Sequence, residues 1–287
     1  MRCLTIITGC AILLSACEKD EHYEKPAPPV LIVEGWIEDG GFPIVMLTQP
    51  IPVDNYYRYT SDLRDNVIKW AKVTVSDGTD TVVLTGKYDD RYFPPYVYTT
   101  SWIKGEAGKT YTLTAEYRDF HATATTTIPF PPEHCTFTVE PCADSVALYQ
   151  IKAHFTDNPD TKNYYQIFSR VGTKTRQYQA SYFGSIDDDV LNDAAEIVVY
   201  RGQKIENNNS TRYFRISDTV SVKVAQVDKA SFEFWNSYTQ MLSLSKIMFL
   251  ATSSDIETNI CGGYGYWCGY GAITDYIVIR DSVESDR

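Results

Sequence analysis

Short stretches of alternating apolar and polar residues run through most of the chain. The clearest lie on either side of Asp77 and Gly78, within residues 72–84. Alternation around an Asp-Gly pair is typical of a β-hairpin with a tight turn. A β-branched run at 30–37 and alternating stretches at 96–102, 109–117 and 146–155 predict further strands, because successive side chains of a strand point to opposite faces. The pattern indicates a mainly β protein.

The strands and turn signals divide the body into two parts near residue 130. Residues 30–130 hold about seven predicted short strands, which is the pattern of an immunoglobulin-like or fibronectin-like β-sandwich. Pro129, Pro131 and Pro132 end this part, since proline cannot continue a strand ladder. Residues 131–287 are predicted to form a second β-rich domain.

The second part contains the one stretch with a helical period. A helical period of three- and four-residue steps joins Phe232, Trp235, Tyr238 or Thr239, and Leu242, which places them on one face of a helix at about 229–243. Asp228 stands where a helix cap is expected. The acidic and polar stretch 185–209 is predicted to be a long loop.

A glycine-aromatic segment at 259–271 has an unusual composition. It contains five glycines, and neither helix nor strand propensity explains them. Glycine permits close backbone approach, so the aromatic residues either pack onto the body or form a contact surface for a partner or ligand. The binding-surface candidates are Tyr264, Tyr266, Trp267 and Tyr270.

The first residues have the pattern of a bacterial lipoprotein signal. An apolar run at 4–14 follows Arg2 and ends in Leu14-Ser15-Ala16-Cys17. The run is too short for a spanning helix, which needs about 20 residues. We therefore expect residues 1–16 to be removed as a signal peptide and Cys17 to carry lipid. Lipid on Cys17 would anchor the protein to a membrane.

Residues 17–29 are charged and then proline-rich, which predicts a tether. Glu18, Asp20 and Glu21 follow the lipidated cysteine closely. Acidic residues at this place resemble the export signal of Bacteroidota lipoproteins, which directs a protein to the outer face of the outer membrane. The alternative is an ordinary charged linker.

Four cysteines remain beyond the anchor: Cys135, Cys142, Cys261 and Cys268. An even number in an exported chain favours disulfides, and the spacing favours the local pairs Cys135–Cys142 and Cys261–Cys268. The alternative is a four-cysteine zinc site, although the spacing is wider than zinc sites usually show.

Charge and motifs exclude several functions. The formal net charge is −11 and no basic stripe is present, so we expect no nucleic-acid partner. No catalytic motif of weight is found, which predicts a protein without enzymatic activity, cofactor or metal. The acidic groups at 157–160 and 187–189 could bind Ca²⁺, but solvated turns are the expected reading.

The whole chain resembles the Bacteroidota surface lipoproteins grouped as domain of unknown function 4249. The matching features are the Cys17 signal, the Leu31–Ile37 segment LIVEGWI, the Asp157–Tyr165 segment and the glycine-aromatic segment. Cys261 and Cys268 depart from the expected pattern. Members are typically encoded beside TonB-dependent outer-membrane receptors, so the resemblance implies an accessory role in nutrient uptake.

Two functions are compatible with the sequence. The first is a non-enzymatic accessory lipoprotein of a TonB-dependent transporter. The second is a stand-alone module that binds a glycan or small ligand through aromatic residues of the glycine-aromatic segment or through Tyr56 and Tyr57.

Overall fold

A computed structural model describes residues 30–50, 66–143, 145–158, 160–191, 194–202, 212–244 and 256–280. The predicted signal peptide, Cys17 and the tether lie outside the described residues, as do Tyr56 and Tyr57.

The described chain is built mainly of β-strands, as predicted. In chain order the elements are β1 (Leu31–Glu38), β2 (Ile44–Thr48), β3 (Lys72–Ser76), β4 (Thr81–Val83), β5 (Thr85–Tyr88), β6 (Tyr96–Thr99), β7 (Thr110–Tyr117), β8 (Phe120–Thr127), β9 (Glu133–Cys142), β10 (Ser145–Thr156), β11 (Tyr164–Val171), β12 (Gln179–Asp187), β13 (Ala194–Val199), β14 (Phe214–Arg215), β15 (Thr219–Val227), α1 (Lys229–Leu244) and β16 (Gly263–Val278).

Three sheets organise these strands. The largest has eight strands in the order β12-β11-β15-β16-β1-β2-β6-β5. A four-stranded sheet has the order β4-β3-β7-β8, and another is formed by β13, β10 and β14 with β9 paired to β10. At the centre of the large sheet β1 and β16 run parallel, with Glu34 opposite Tyr266. The large sheet therefore contains strands from both parts of the chain.

One face of the large sheet is covered by the two smaller sheets. Its N-terminal strands pack against β3, β7 and β8 through a core that includes Val33, Leu113 and Trp267. Its C-terminal strands pack through a second core that includes Ile151 and Val222. Trp267 belongs to β16 but lies fully buried in the first core, so the last strand completes the packing of the first part of the chain.

The glycine-aromatic segment is a regular part of β16, which corrects the expectation that strand structure does not explain it. Its residues alternate with period two: glycines or Trp267 face the smaller sheets, and the other face carries Tyr264, Tyr266, Cys268 and Tyr270. Trp267 donates from Nε1 to the carbonyl of Tyr111 over 3.0 Å, which satisfies its polar atom in the core.

The glycines allow other backbone to approach β16 closely. A Cβ on Gly265 would lie 1.9 Å from the carbonyl oxygen of Val33, and φ is +107° there. A Cβ on Gly271 would lie 2.0 Å from the carbonyl oxygen of Pro129. Real Cβ atoms never approach so closely, so these positions require glycine.

Local predictions met different outcomes. The hairpin around Gly78 forms as β3 and β4. The helix α1 covers the predicted stretch, and Asp228 caps it by accepting from the backbone N–H of Ser231 over 2.8 Å. The predicted loop 185–209 was wrong, because it contains the end of β12 and all of β13, which pairs with β10.

Candidate functional site

A cleft lies on the other face of the large sheet, the face that the smaller sheets leave uncovered. Its floor is β1, β16 and β15, and α1 and two loops form its walls. It has a volume of about 1930 Å³, and aromatic rings dominate its lining. The aromatic lining residues are Trp36, Tyr92, Phe93, Phe168, Tyr178, Phe234, Trp235, Tyr238, Tyr264, Tyr266, Tyr270 and Tyr276.

The alternation of β1 decides which of its side chains reach the cleft. Leu31, Val33 and Ile37 are buried in the first core. Glu34 and Trp36 point to the opposite face, together with Glu38 at the end of the strand, and all three line the cleft. Two carboxylates and an indole thus share one face of one strand.

Two loops from different parts of the chain join to form one wall. The loop between β5 and β6 and the loop between β11 and β12 are hydrogen-bonded to each other, since the carbonyl of Arg91 accepts from Arg176 N and Thr175 Oγ1, both over 2.9 Å. Gln177 connects this wall to the floor. Its Oε1 accepts from the backbone N–H of Phe93 over 3.0 Å, and its Nε2 donates to Glu34 over 2.9 Å.

Glu34 is a half-buried carboxylate with two hydrogen-bond donors and no basic partner among the described residues. Tyr266 donates from its hydroxyl to Glu34 Oε1 over 3.0 Å, and Gln177 donates to the same oxygen. Burial raises the pKa of Glu34 above its ordinary value, while these two hydrogen bonds act in the opposite direction. Burial also raises the pKa of Tyr238, and the charge of Glu34 adds to that rise.

Glu38 lies four residues further along the same face and has a basic partner. The ammonium group of Lys223 forms an ion pair with Glu38. Lys223 is 6% exposed and also stands 4.2 Å above the ring of Tyr178. The guanidinium of Arg170 lies 4.7 Å from the same ring. The charge of Glu38 at this end of the cleft is therefore compensated within the protein by Lys223.

The helix supplies the aromatic wall opposite the loops. Trp235 donates from Nε1 to the hydroxyl of Tyr270 over 3.1 Å. The rings of Phe234 and Tyr266 have their centroids 4.5 Å apart. These contacts fix the tyrosines of β16 beneath the helix, so the lining between Glu34 and α1 is rigidly packed.

The four predicted binding-surface residues do not share one environment. Tyr264 is 58% exposed and stands at the rim of the cleft. Tyr266 and Tyr270 line the cleft but are largely buried. Trp267 points away from the cleft into the first core. The segment is therefore a packed strand that contributes three of the four residues to a cleft, and it does not form a continuous exposed surface.

The predicted local disulfides are wrong, because all four cysteines are thiols in the structure. Cys135 and Cys142 lie seven residues apart on the extended strand β9, which separates them by roughly 23 Å at about 3.3 Å per residue. Cys261 pairs with Thr123 just before β16, and Cys268 lies seven residues further on within that strand. A disulfide needs Cα atoms within about 7 Å. The same spacing prevents all four from binding a single zinc ion.

The acidic group at 187–189 forms ion pairs with one lysine, Lys162. Lys162 places its ammonium group 2.6 Å from carboxylate oxygens of Asp188 and Asp189, and it also pairs with Asp187. Asp157 of the other acidic group accepts from the hydroxyl of Tyr165. At both places considered for Ca²⁺, carboxylates are thus already paired with or hydrogen-bonded to other side chains of the protein.

Together these features define a mainly β protein with an aromatic cleft built across both parts of its chain. The chain belongs to the family described as domain of unknown function (DUF4249), which it matches over residues 18–274. No curated protein matches the chain. Within the described residues, no helix has the length and apolar character that a membrane span requires.

Sequence reasoning missed most of the polar residues of the cleft. The apolar pattern predicts the strands that carry Glu34, Glu38 and Lys223. It does not indicate that these polar side chains belong to a site. The signal that could have found Glu34 and Glu38 is the alternation of β1, which places both on the face opposite its core residues. Gln177 sits in a loop, and no local pattern places it beside a strand 143 residues away in the sequence.

Proposed function

We propose that this protein is a lipid-anchored binding protein of the outer membrane, which holds a ligand in the aromatic cleft beside a TonB-dependent transporter. The cleft carries the binding part of the proposal. Lipidation at Cys17, export to the outer face and the transporter rest on the sequence and on the family resemblance.

The supporting observation is the construction of the cleft. Its volume of about 1930 Å³ exceeds the ~300–1,000 Å³ that is usual for small-molecule pockets. Aromatic rings form its walls, and a few polar groups are held in fixed orientations, above all Glu34. An apolar concave surface with a small number of oriented polar groups is the general form of a ligand site.

We propose binding rather than catalysis because of the residue types in the lining. The described residues that line the cleft include no histidine and no cysteine. Its other acidic side chain on β1, Glu38, is engaged with Lys223 and is not available as a base.

The position of the cleft suits a role beside a membrane partner. The described body begins at Val30, immediately before β1. Ile32 and Tyr264 pair across β1 and β16 at this end, and both line the cleft. The rim of the cleft is therefore close to the point where the chain leads to the proposed anchor at Cys17.

For the fold, we propose that residues 30–130 form an immunoglobulin-like sandwich and that 131–287 form a second β-rich domain. Two packed sheets around the first core support the sandwich. In this proposal β16 of the second domain joins the first sheet beside β1.

The proposal is tested by anchoring and co-purification from cells. Cys17→Ala should release the protein from the outer-membrane fraction, whereas Cys10→Ala, in the same segment, should leave it there. The wild-type protein solubilised in mild detergent should co-purify with a TonB-dependent receptor. Membrane retention of Cys17→Ala would contradict the anchor. A clean monomer without a receptor would favour the stand-alone glycan-binding or ligand-binding alternative.

A further inference from the structure

We propose that the Glu34 end of the cleft binds an organic ammonium group of the ligand. This inference rests on the proposed binding function and adds the chemical class of what is bound. It is carried by a carboxylate that the fold desolvates, orients and surrounds with aromatic rings, and to which no described residue supplies a positive charge.

Glu34 differs from Glu38 in having no cationic partner among the described residues. Both side chains lie on the same face of β1 and line the same cleft. Glu38 is paired with the ammonium group of Lys223. Glu34 has no ion pair with any described residue, although burial disfavours its charged form. A buried charge is costly unless it is paired, so the free partner position beside Glu34 suits a cation supplied by the ligand.

The hydrogen bonds of Glu34 leave one oxygen for that cation. Both Tyr266 and Gln177 donate to Oε1. No described residue donates to Oε2. Gln177 is itself held by the backbone N–H of Phe93. The carboxylate is therefore oriented before a ligand arrives, with Oε2 as its available acceptor.

The surroundings of Glu34 are suited to a cation. Trp36 follows on the same face of β1, Tyr266 is directly opposite on β16, and Tyr238 comes from α1 close enough for the charge of Glu34 to affect its pKa. The faces of aromatic rings attract cations by about 0.5–2 kcal/mol each, most strongly when water is excluded. A formal net charge of −11 on the chain also favours the approach of a cation over that of an anion.

A neutral polyhydroxylated ligand could also donate to Glu34 Oε2 and stack on the rings. Such a ligand would leave the charge of Glu34 uncompensated, which is why the ammonium group is favoured. A carbohydrate is accordingly included as a separate probe in the test.

The test compares matched probes on the full lipidated chain in a polyoxyethylene detergent. The probes are 2-phenylethylammonium, its neutral isostere 2-phenylethanol, and maltotriose. Binding is measured by calorimetry and by the fluorescence of the cleft tryptophans. We expect 2-phenylethylammonium to bind about tenfold or more tightly than 2-phenylethanol. Glu34→Gln should remove that preference, and Glu116→Gln should keep it, because Glu116 is a surface carboxylate paired with Lys72.

Three outcomes would overturn the inference: equal binding of the two isosteres, an unchanged preference in Glu34→Gln, or binding of maltotriose without binding of the ammonium probe. Near-ultraviolet circular dichroism checks that Glu34→Gln is folded, and Trp36→Ala provides a second variant that should weaken ammonium binding. Anchoring and receptor co-purification of Glu34→Gln should equal those of the wild type. Failure of this inference is therefore distinguishable from failure of the proposed function.

Discussion

Gln177 donates a hydrogen bond to Glu34 across 143 residues of sequence, with 2.9 Å between Nε2 and Oε1. The bond fixes a loop between β11 and β12 onto the first strand of the protein. It also supports a carboxylate that no described basic residue neutralises. An arrangement of this kind costs stability and is usual where a site has been shaped for a ligand.

Glu34→Gln should stabilise the protein without ligand by about 1 kcal/mol at neutral pH, because it removes an unpaired, desolvated charge. The pKa of Glu34 is raised in the folded state above its ordinary value of 4.5. Stability of the wild type relative to the variant should therefore fall as the pH rises from about 4.5 through the raised pKa. Urea unfolding of both proteins across this pH range measures the difference. A stability difference between the two proteins that does not change with pH would contradict a raised pKa of Glu34 in the folded state.

Lys223→Met should destabilise the protein by about 3 kcal/mol, because it leaves Glu38 partly buried without its cation. The double variant Lys223→Met with Glu38→Gln should recover a large part of that loss. Lys109→Met provides the control, since Lys109 and Glu106 form a solvent-exposed pair whose loss should leave the stability nearly unchanged. Chemical denaturation measures the free energy of unfolding of each variant. A double variant no more stable than the single one would show that packing of the lysine stem, and not its charge, is what matters.

Gly265→Ala should cost at least about 3 kcal/mol or prevent folding, because its Cβ would collide with the carbonyl of Val33 in a left-handed backbone conformation. Gly40→Ala is the matched control. Gly40 also has positive φ, but nothing lies within 4 Å of an added Cβ, so only the conformational cost of about 1–2 kcal/mol applies. Thermal unfolding of the two variants measures the contrast. Equal losses would mean that the close approach of β1 and β16 is not what requires glycine.

All four cysteines of the body should be found as thiols. Intact mass before and after alkylation in denaturant, without a reducing agent, should show four modified cysteines beyond Cys17. In the native protein Cys261 should react first because it is exposed, and Cys268 last because burial raises its pKa to about 12. Fewer than four modified cysteines without prior reduction would reveal a disulfide and contradict the structure.

The sequence predicted features that depend on local pattern. The hairpin around Gly78 and the helix capped by Asp228 need only a turn residue, an alternation or a helical period, and both are present. The mainly β class follows from the same signals. The glycine-aromatic segment also has a period of two, but its many glycines concealed a strand whose glycine face lies against other backbone.

The candidate site depends on contacts that no local pattern contains. Its floor requires β16 to lie beside β1, and its wall requires Gln177 to reach Glu34 from another part of the chain. The disulfide prediction failed for a related reason. Spacing in sequence suggested short loops, but an extended strand carries each pair of cysteines apart.

The placement of β16 also sets an order of folding. Glu34 and Tyr266 are partners separated by 232 residues, and Trp267 fills a core whose other members come mainly from the first part of the chain. That first part cannot close its interior until the last strand has been synthesised and delivered. Contacts so distant in sequence slow folding, so the body should reach its native packing only once the whole chain is available.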